Sequence, residues 1–276
     1  MNRYVSPLCL FPILLFGKGI EDAKTYHLNS TMQWNVALDT IELIPWQGNE
    51  NVLDIGCGDG KITALLSTKV QQGTLIGIDI SQSMIDFASS LYPQNQYPNL
   101  AFMQMDAAEI TFENQFDRVV SFSTLHWVLD QQKALNAFYK ALVPGGYLCL
   151  HIYSKGPMNV TDIGDFLVRT EKWAAYFPGY VKQRIFFTEQ EYKDLLQEAG
   201  FSQFNITGYW NETPLANRQA VFDLAKPVLN FIRHLPDDLQ NEFVDEVVDS
   251  ILSVAKQSDD GSILYTTFSL QIIGAK

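Results

Sequence analysis

A chain of 276 residues with 47% hydrophobic content is long enough to bury one large α/β core with insertions, so a second independent domain is not required. Its formal net charge of -12, with 19 basic against 31 acidic residues, counts against a nucleic-acid partner, because phosphate backbones are gripped by clustered Lys and Arg and here these are scattered. Cys9, Cys57 and Cys149 are an odd set without C-x-x-C spacing, which predicts neither a disulfide framework nor a metal site and fits a reducing, cytoplasmic setting.

The chain opens on an apolar run, Leu8 to Phe16, preceded by Arg3 and interrupted by Pro12. It is too short to span a membrane, so no stable membrane insertion is expected. Its alternatives are the core of a secretory signal, a mobile lip and an extended start; the flanks lack a convincing cleavage site. We take residues 1–25 as an apolar, mobile leader and residues 26–276 as a single domain. From Thr31 to about Ile44, the apolar positions Met32, Val36, Ala37, Ile41 and Leu43 recur near helical spacing after an N-cap at Asn29 or Ser30. Five apolar runs follow, Asn51–Ile55, Thr74–Ile78, Ala101–Met105, Arg118–Ser121 and Tyr147–Ile152, with helix-length segments between them. That alternation predicts a doubly wound, mostly parallel α/β sheet. An aromatic-rich helical segment then runs to about Leu196, a strand covers Phe204–Trp210, a long helical stretch covers Gln219–Ala255, and Tyr265–Gly274 closes the chain as a strand. The two late strands predict an antiparallel edge, for seven strands in all, with helical lid insertions at about 154–196 and 211–262 on a Rossmann-like sheet.

Chemistry concentrates where the first strand ends, in Val52-Leu-Asp-Ile-Gly-Cys-Gly-Asp-Gly-Lys61. Gly56, Gly58 and Gly60 allow positive φ and close backbone approach to a ligand, and Asp54 places a carboxylate at the strand end. A dinucleotide fingerprint is G-x-G-x-x-G, whereas here the third glycine comes one residue early, so no pyrophosphate cradle is predicted. The expected cofactor is instead S-adenosyl-L-methionine. Asp79 ends the second strand, where a carboxylate accepts from both hydroxyls of a ribose, and Asp106 follows the third, placed to accept from an adenine amino group between Met84 and Ala107. Three acidic strand ends at the carboxyl edge of such a sheet mark its ligand crevice. Tyr26, Cys57, Ile80 and Ser121 complete the expected cofactor-binding set.

The fourth strand leads into Ser121-Phe-Ser-Thr-Leu-His-Trp-Val128, where the acceptor should meet the cofactor. The D/N-P-P-Y/F turn of base-amine methylation is missing here, neither Cys9 nor Cys149 is placed as a nucleophile for cytosine C5 chemistry, and Asp130 alone is too few carboxylates for a catechol metal site. No metal is expected. His126 and Trp127 remain: an indole N–H only donates, which suits an acceptor-only group such as a carboxylate, and an oxygen nucleophile of low pKa needs no base.

These residues resemble the juvenile hormone acid methyltransferases of insects and their bacterial relatives near trans-aconitate methyltransferase. The likeness lies in the glycine loop, in Leu125-His-Trp-Val128, Leu142-Val-Pro-Gly-Gly-Tyr147 and Glu171-Lys-Trp-Ala174, and in the run from Phe231 to Phe243 with its Leu235-Pro-Asp-Asp-Leu239. It implies a Rossmann-like methyltransferase fold and an S-adenosylmethionine-dependent O-methyltransferase that makes a methyl ester on a small or lipophilic carboxylic acid. It further implies that Gln33 and Trp127 hold the substrate carboxylate beside His126. Trp173 and the other lid aromatics, Tyr176, Phe177, Tyr180, Phe186 and Phe187, favour a lipophilic acid, while Lys155, Arg169, Lys172, Lys182 and Arg184 leave a small polyacid open. Another small-molecule acceptor, a malonyl group on an acidic carrier, a non-catalytic cofactor-binding protein and a dehydrogenase are the alternatives.

Overall fold

The structure, a computed structural model, describes residues 23–276. The leader expected at residues 1–25 therefore lies outside the described residues except for its last three, which already form the head of a helix, α1 (Ala23–Asn29), with Ala23 buried. Helix α2 (Thr31–Ile41) follows Ser30 and stops short of the expected Ile44, since Leu43 is exposed and Pro45 ends any continuation.

Strands β1 (Asn51–Ile55), β2 (Thr74–Asp79), β3 (Leu100–Gln104), β4 (Phe116–Phe122) and β5 (Leu142–Tyr153) pair in parallel in the order β3-β2-β1-β4-β5. They are joined through α3 (Lys61–Lys69), α4 (Gln82–Leu91) and α5 (Gln131–Ala141). Beyond β5 the chain forms α6 (Val160–Leu167), α7 (Glu189–Ala199), β6 (Gln203–Leu215), α8 (Arg218–Val228), α9 (Asp237–Leu252), the two-residue β7 (Lys256–Gln257) and β8 (Ile263–Ala275). Strand β8 inserts antiparallel between β5 and the edge strand β6, so the sheet is the expected seven strands with β7 added beside β8.

Alternation along each central strand divides two cores. Leu53, Val119 and Leu150 face α5 and α7, while their neighbours Val52, Val120 and Cys149 face α2 and α3. Burial on both faces is what a parallel strand needs, and it explains why β1 reads as an uninterrupted apolar run. The stretch 219–255 is two helices, because Pro227 closes α8 and Pro236 precedes α9, whose first turn carries Asp237 and Asp238 where the helix dipole favours them. A third core gathers Trp173, Phe177, Val221, Phe243, Val247 and Tyr265 from α8, α9 and the segments around them. No helix among the described residues is long and apolar enough to cross a membrane.

Candidate functional site

The loop between β1 and α3 is built as its glycines require. Gly56, Gly58 and Gly60 have φ of 71°, 54° and 76°. A Cβ on Gly56 would lie 2.2 Å from the Thr124 side chain, and one on Gly60 would lie 2.8 Å from the Ala88 Cβ, so both positions exclude larger residues by space as well as by conformation. Asp54 sits beneath this turn: it is 2% exposed and accepts from the Thr63 hydroxyl at 2.8 Å. Burial pushes its carboxyl up to about 7. The side chain braces α3 against β1 from beneath the loop. Cys57 and Cys149 are free and buried, and burial holds both thiols in the protonated form, Cys149 at about 12.

Asp79 is half-buried at the carboxyl end of β2. It accepts from the Gly58 N–H at 3.0 Å and from the Ser81 N–H at 2.9 Å, one on each oxygen, and so tethers the loop to the strand. A carboxylate has about four lone-pair sites, so acceptor capacity for a diol remains. Asp106 is likewise half-buried and uses one oxygen on the Ala108 N–H at 2.8 Å. Met84 is buried at the start of α4, Ala107 packs at the margin of the core, and the Ile80 carbonyl accepts from Gln104. Ser121 differs from expectation. It is fully buried, opposite Ile55 in the β1–β4 register, and its hydroxyl donates to the Ile55 carbonyl at 2.9 Å, so it joins strands rather than presenting a group to the crevice.

Helix α1 covers the loop. His27 Nδ1 lies 2.7 Å from Asp59, and Lys61 Nζ donates to the His27 carbonyl and the Ser30 hydroxyl, each at 3.2 Å. The Tyr26 ring stands 3.4 Å from where a Gly58 Cβ would be, and burial together with Asp59 and Asp79 raises its phenol pKa. His27, Asp59 and Lys61 are thus site residues that motif reading missed. Asp59 was visible as an acid inside the loop, but its partner lies in a segment of unremarkable pattern.

The acceptor side is formed where β4 ends. Ser123 adopts a left-handed φ of 55°, turning the chain sharply into a single 3-10 turn, Leu125–Trp127. His126 is buried among the rings of Phe186, stacked at 5.5 Å, Tyr153 at 5.4 Å and Trp127 at 5.8 Å, and its Nδ1 has no hydrogen-bond partner among the described residues. Burial, helped by the nearby charge of Arg184, holds its pKa well below the ordinary value, so it is a neutral imidazole. His151, on β5, repeats the theme. It is fully buried, its Nδ1 is 3.2 Å from the Ser123 hydroxyl, its Nε2 is unpartnered, and burial lowers its pKa to about 4. Gln33 lies on α2, which packs on β4 and β5, and its Oε1 is another buried polar atom without a partner. Trp127 is half-buried with the Arg184 guanidinium 3.7 Å above its ring.

Trp173 does not belong to this set. It has no exposed surface, its ring packs edge-on to Phe243 at 4.9 Å, and its N–H donates to Glu246 at 2.9 Å. The expected substrate contact is corrected to a lid-core residue, because a large aromatic between two apolar helices is consumed by packing. A depression bordered by Asp223, Lys226, Arg233 and Gln240 lies between α8 and α9 and shares no residue with the glycine-loop cluster. Among the described residues no group of acidic, His and Cys side chains is arranged to hold a metal ion.

Comparison with known proteins bears on the family and the fold. A family described as a methyltransferase domain matches residues 47–200. Juvenile hormone acid O-methyltransferase of Drosophila melanogaster is 26% identical over 243 residues, which span 84% of this chain and 78% of that protein. Trans-aconitate 2-methyltransferase of Escherichia coli is 28% identical over 189 residues, 68% of this chain and 70% of that one. Among solved structures, phosphoethanolamine N-methyltransferase 2 of Haemonchus contortus, in complex with phosphomonomethylethanolamine and S-adenosylhomocysteine, aligns with a TM-score of 0.60 at 17% identity over 92% of this chain and 57% of that one. At that identity the likeness is one of fold.

Proposed function

The chain belongs to the methyltransferase-domain family, and from that premise we propose that it methylates a carboxylate of a small organic acid with S-adenosylmethionine, giving a methyl ester. When bound, the cofactor supplies an electrophilic methyl group: a carboxylate oxygen forms the new O–CH3 bond as the S–CH3 bond breaks, and that electron pair returns to sulfur to leave S-adenosylhomocysteine. The residues present fit such a group. The left-handed Gly56, Gly58 and Gly60 fold the loop tightly beside the carboxyl edge of the sheet, where Asp79 and Asp106 keep acceptor capacity at adjacent strand ends. The roof formed by Tyr26 and the His27–Asp59–Lys61 contacts would hold water out of the loop.

The observation that carries the carboxylate reading is the chemistry of the acceptor side. Burial keeps Cys57 a thiol and lowers the pKa of both histidines, which makes them weak proton acceptors. An amine or alcohol acceptor must lose a proton to react, whereas a carboxylate is already ionised near neutral pH and needs no base. The Trp127 N–H makes no hydrogen bond among the described residues, and the Gln33 amide carries an unpartnered oxygen and an N–H2 donor pair. Neutral donors of this kind orient a carboxylate while leaving its oxygen lone pairs reactive. Relatives named for juvenile hormone acid and trans-aconitate support the same class of acceptor.

Trp127→Phe and Gln33→Ala should each lower kcat about 10–100-fold with a carboxylic acid acceptor, the effect of removing one oriented donor. Cofactor affinity, read by calorimetry, should stay within about 2-fold. Asp79→Ala should instead weaken cofactor binding about 10-fold or more, as expected for losing charge-assisted bonds. Unchanged turnover in both acceptor-side variants would remove the assignment of that face.

A further inference from the structure

The lid brings several cations near the cleft, and nearly all of them are spoken for. Lys155 pairs with Glu191 at 2.8 Å, Lys172 with Glu242 at 2.6 Å, and Lys182 with Asp162 at 2.8 Å and Asp165 at 3.2 Å, while Arg169 donates to the Asp165 backbone carbonyl. Arg184 stands apart. Among the described residues no carboxylate forms an ion pair with it, and its single hydrogen bond is a long one, 3.3 Å to the Thr161 hydroxyl. A guanidinium carries five N–H donors, so most of this one's hydrogen-bonding capacity is unused.

Its place makes that unusual. The guanidinium carbon lies 3.7 Å from the centre of the Trp127 ring, beside His126, Tyr180 and Tyr265. Burial in this aromatic surrounding presses its pKa down to about 10, which still leaves it charged near neutral pH. Asp165 attracts it from a distance, but that carboxylate is already engaged by Tyr180 and Lys182. A partly buried cation without a counter-ion is costly, and stacking on an indole returns only about 0.5–2 kcal/mol. The planar fork above Trp127 is the geometry that receives a carboxylate through two parallel hydrogen bonds.

That carboxylate should not be the one methylated. Charge-assisted bonds from a guanidinium would draw density away from the reacting oxygen and set a second positive charge near the sulfonium, whereas Trp127 and Gln33 offer neutral donors for that group. Resting on the carboxylate reading above, we propose that Arg184 determines specificity by binding a second carboxylate of the acceptor, so that the preferred substrate is a dicarboxylic acid whose apolar body lies along the Trp127–His126–Phe186 rings.

The test compares mono- and dicarboxylic acids of matched chain length with the full chain, its Arg184→Gln variant and its Arg184→Lys variant. The native protein should favour diacids in kcat/KM by about 10-fold or more, and Arg184→Gln should collapse that ratio about 10–100-fold, chiefly through KM, as expected for losing a bidentate charged contact. Arg184→Lys should restore part of it. A native preference for monoacids, or a ratio that Arg184→Gln leaves unchanged, overturns the inference while the carboxylate reading stands. If no acid of either kind is methylated, that reading fails instead. Calorimetric titration of the diacids in the presence of S-adenosylhomocysteine then decides the Arg184 site by itself: binding lost in Arg184→Gln supports it, and binding that is absent or indifferent to the substitution overturns it.

Discussion

Asp54 and His151 are both fully enclosed and lie on neighbouring parts of the same sheet, yet burial moves their titrations in opposite senses. For His151, a folded pKa of about 4 against an unfolded value near 6.5 means that the unfolded chain binds more protons in that window. Its contribution to stability is present above about 6.5 and is lost as pH falls through about 4. Asp54 works the other way. With a folded pKa of about 7 against an unfolded value near 3.9, its contribution is present below about 4 and is lost as pH rises through about 7. The two offset each other in the native protein. Asp54→Asn should therefore make stability rise more steeply with pH, by about 2–3 kcal/mol more than in the native protein between about pH 4.5 and 6.5. Urea unfolding at the two pH values measures it; a slope unchanged by the substitution would mean that Asp54 is ionised throughout. Which single residues were legible in the sequence follows the same physics. Asp79 and Asp106 were readable because a strand end at the carboxyl edge is a position that pattern alone locates. Trp173, Ser121 and Arg184 were not, since whether an indole N–H, a hydroxyl or a guanidinium has been consumed by a neighbour depends on Glu246, on the Ile55 carbonyl and, for Arg184, on the lack of an ion pair among the described residues.

At the scale of elements, the parallel strands were legible nearly to the residue. Burial on both faces writes an unbroken apolar run, and β1 spans the expected Asn51–Ile55. Strand β5 begins at Leu142, five residues before the expected Tyr147, because Leu142 already pairs with Phe116 and the Pro144-Gly145-Gly146 segment that looks like a turn is looped out of the β4 ladder by a shift in register. Helix α1 was invisible: what fixes it is a set of polar contacts to the loop rather than an apolar stripe. Lys61→Met removes the Lys61 side-chain bonds to His27 in that helix and to Ser30 just after it, and should speed cofactor release several-fold without changing the unfolding free energy by more than about 1 kcal/mol. Stopped-flow release kinetics would show it. Helix α7 is held by a reciprocal cap between Thr188 and Glu191. Thr188→Ala should cost about 1 kcal/mol, measurable in denaturant.

The described residues form two sheet-flanking cores and a third that belongs to α8, α9 and the residues around Trp173. The glycine loop draws on the first two and the Arg184 segment adjoins the third, so cofactor and acceptor functions should be separable by mutation. Phe243→Ala, which empties the centre of the third core, should cost about 3–5 kcal/mol there and abolish acceptor turnover while cofactor binding persists. Retained turnover in that variant would show that the third core does not shape the acceptor site.

The central claim is methyl transfer to a carboxylate, and it is tested most directly by incubating the full chain with S-adenosylmethionine carrying an isotopically labelled methyl group and a library of carboxylic acids, with products read by mass before and after mild alkaline hydrolysis. The account predicts at least one acid that gains a single labelled methyl group and loses it to base, as an ester must. A labelled product that survives base, or a library in which no acid is labelled although the cofactor binds, would contradict it.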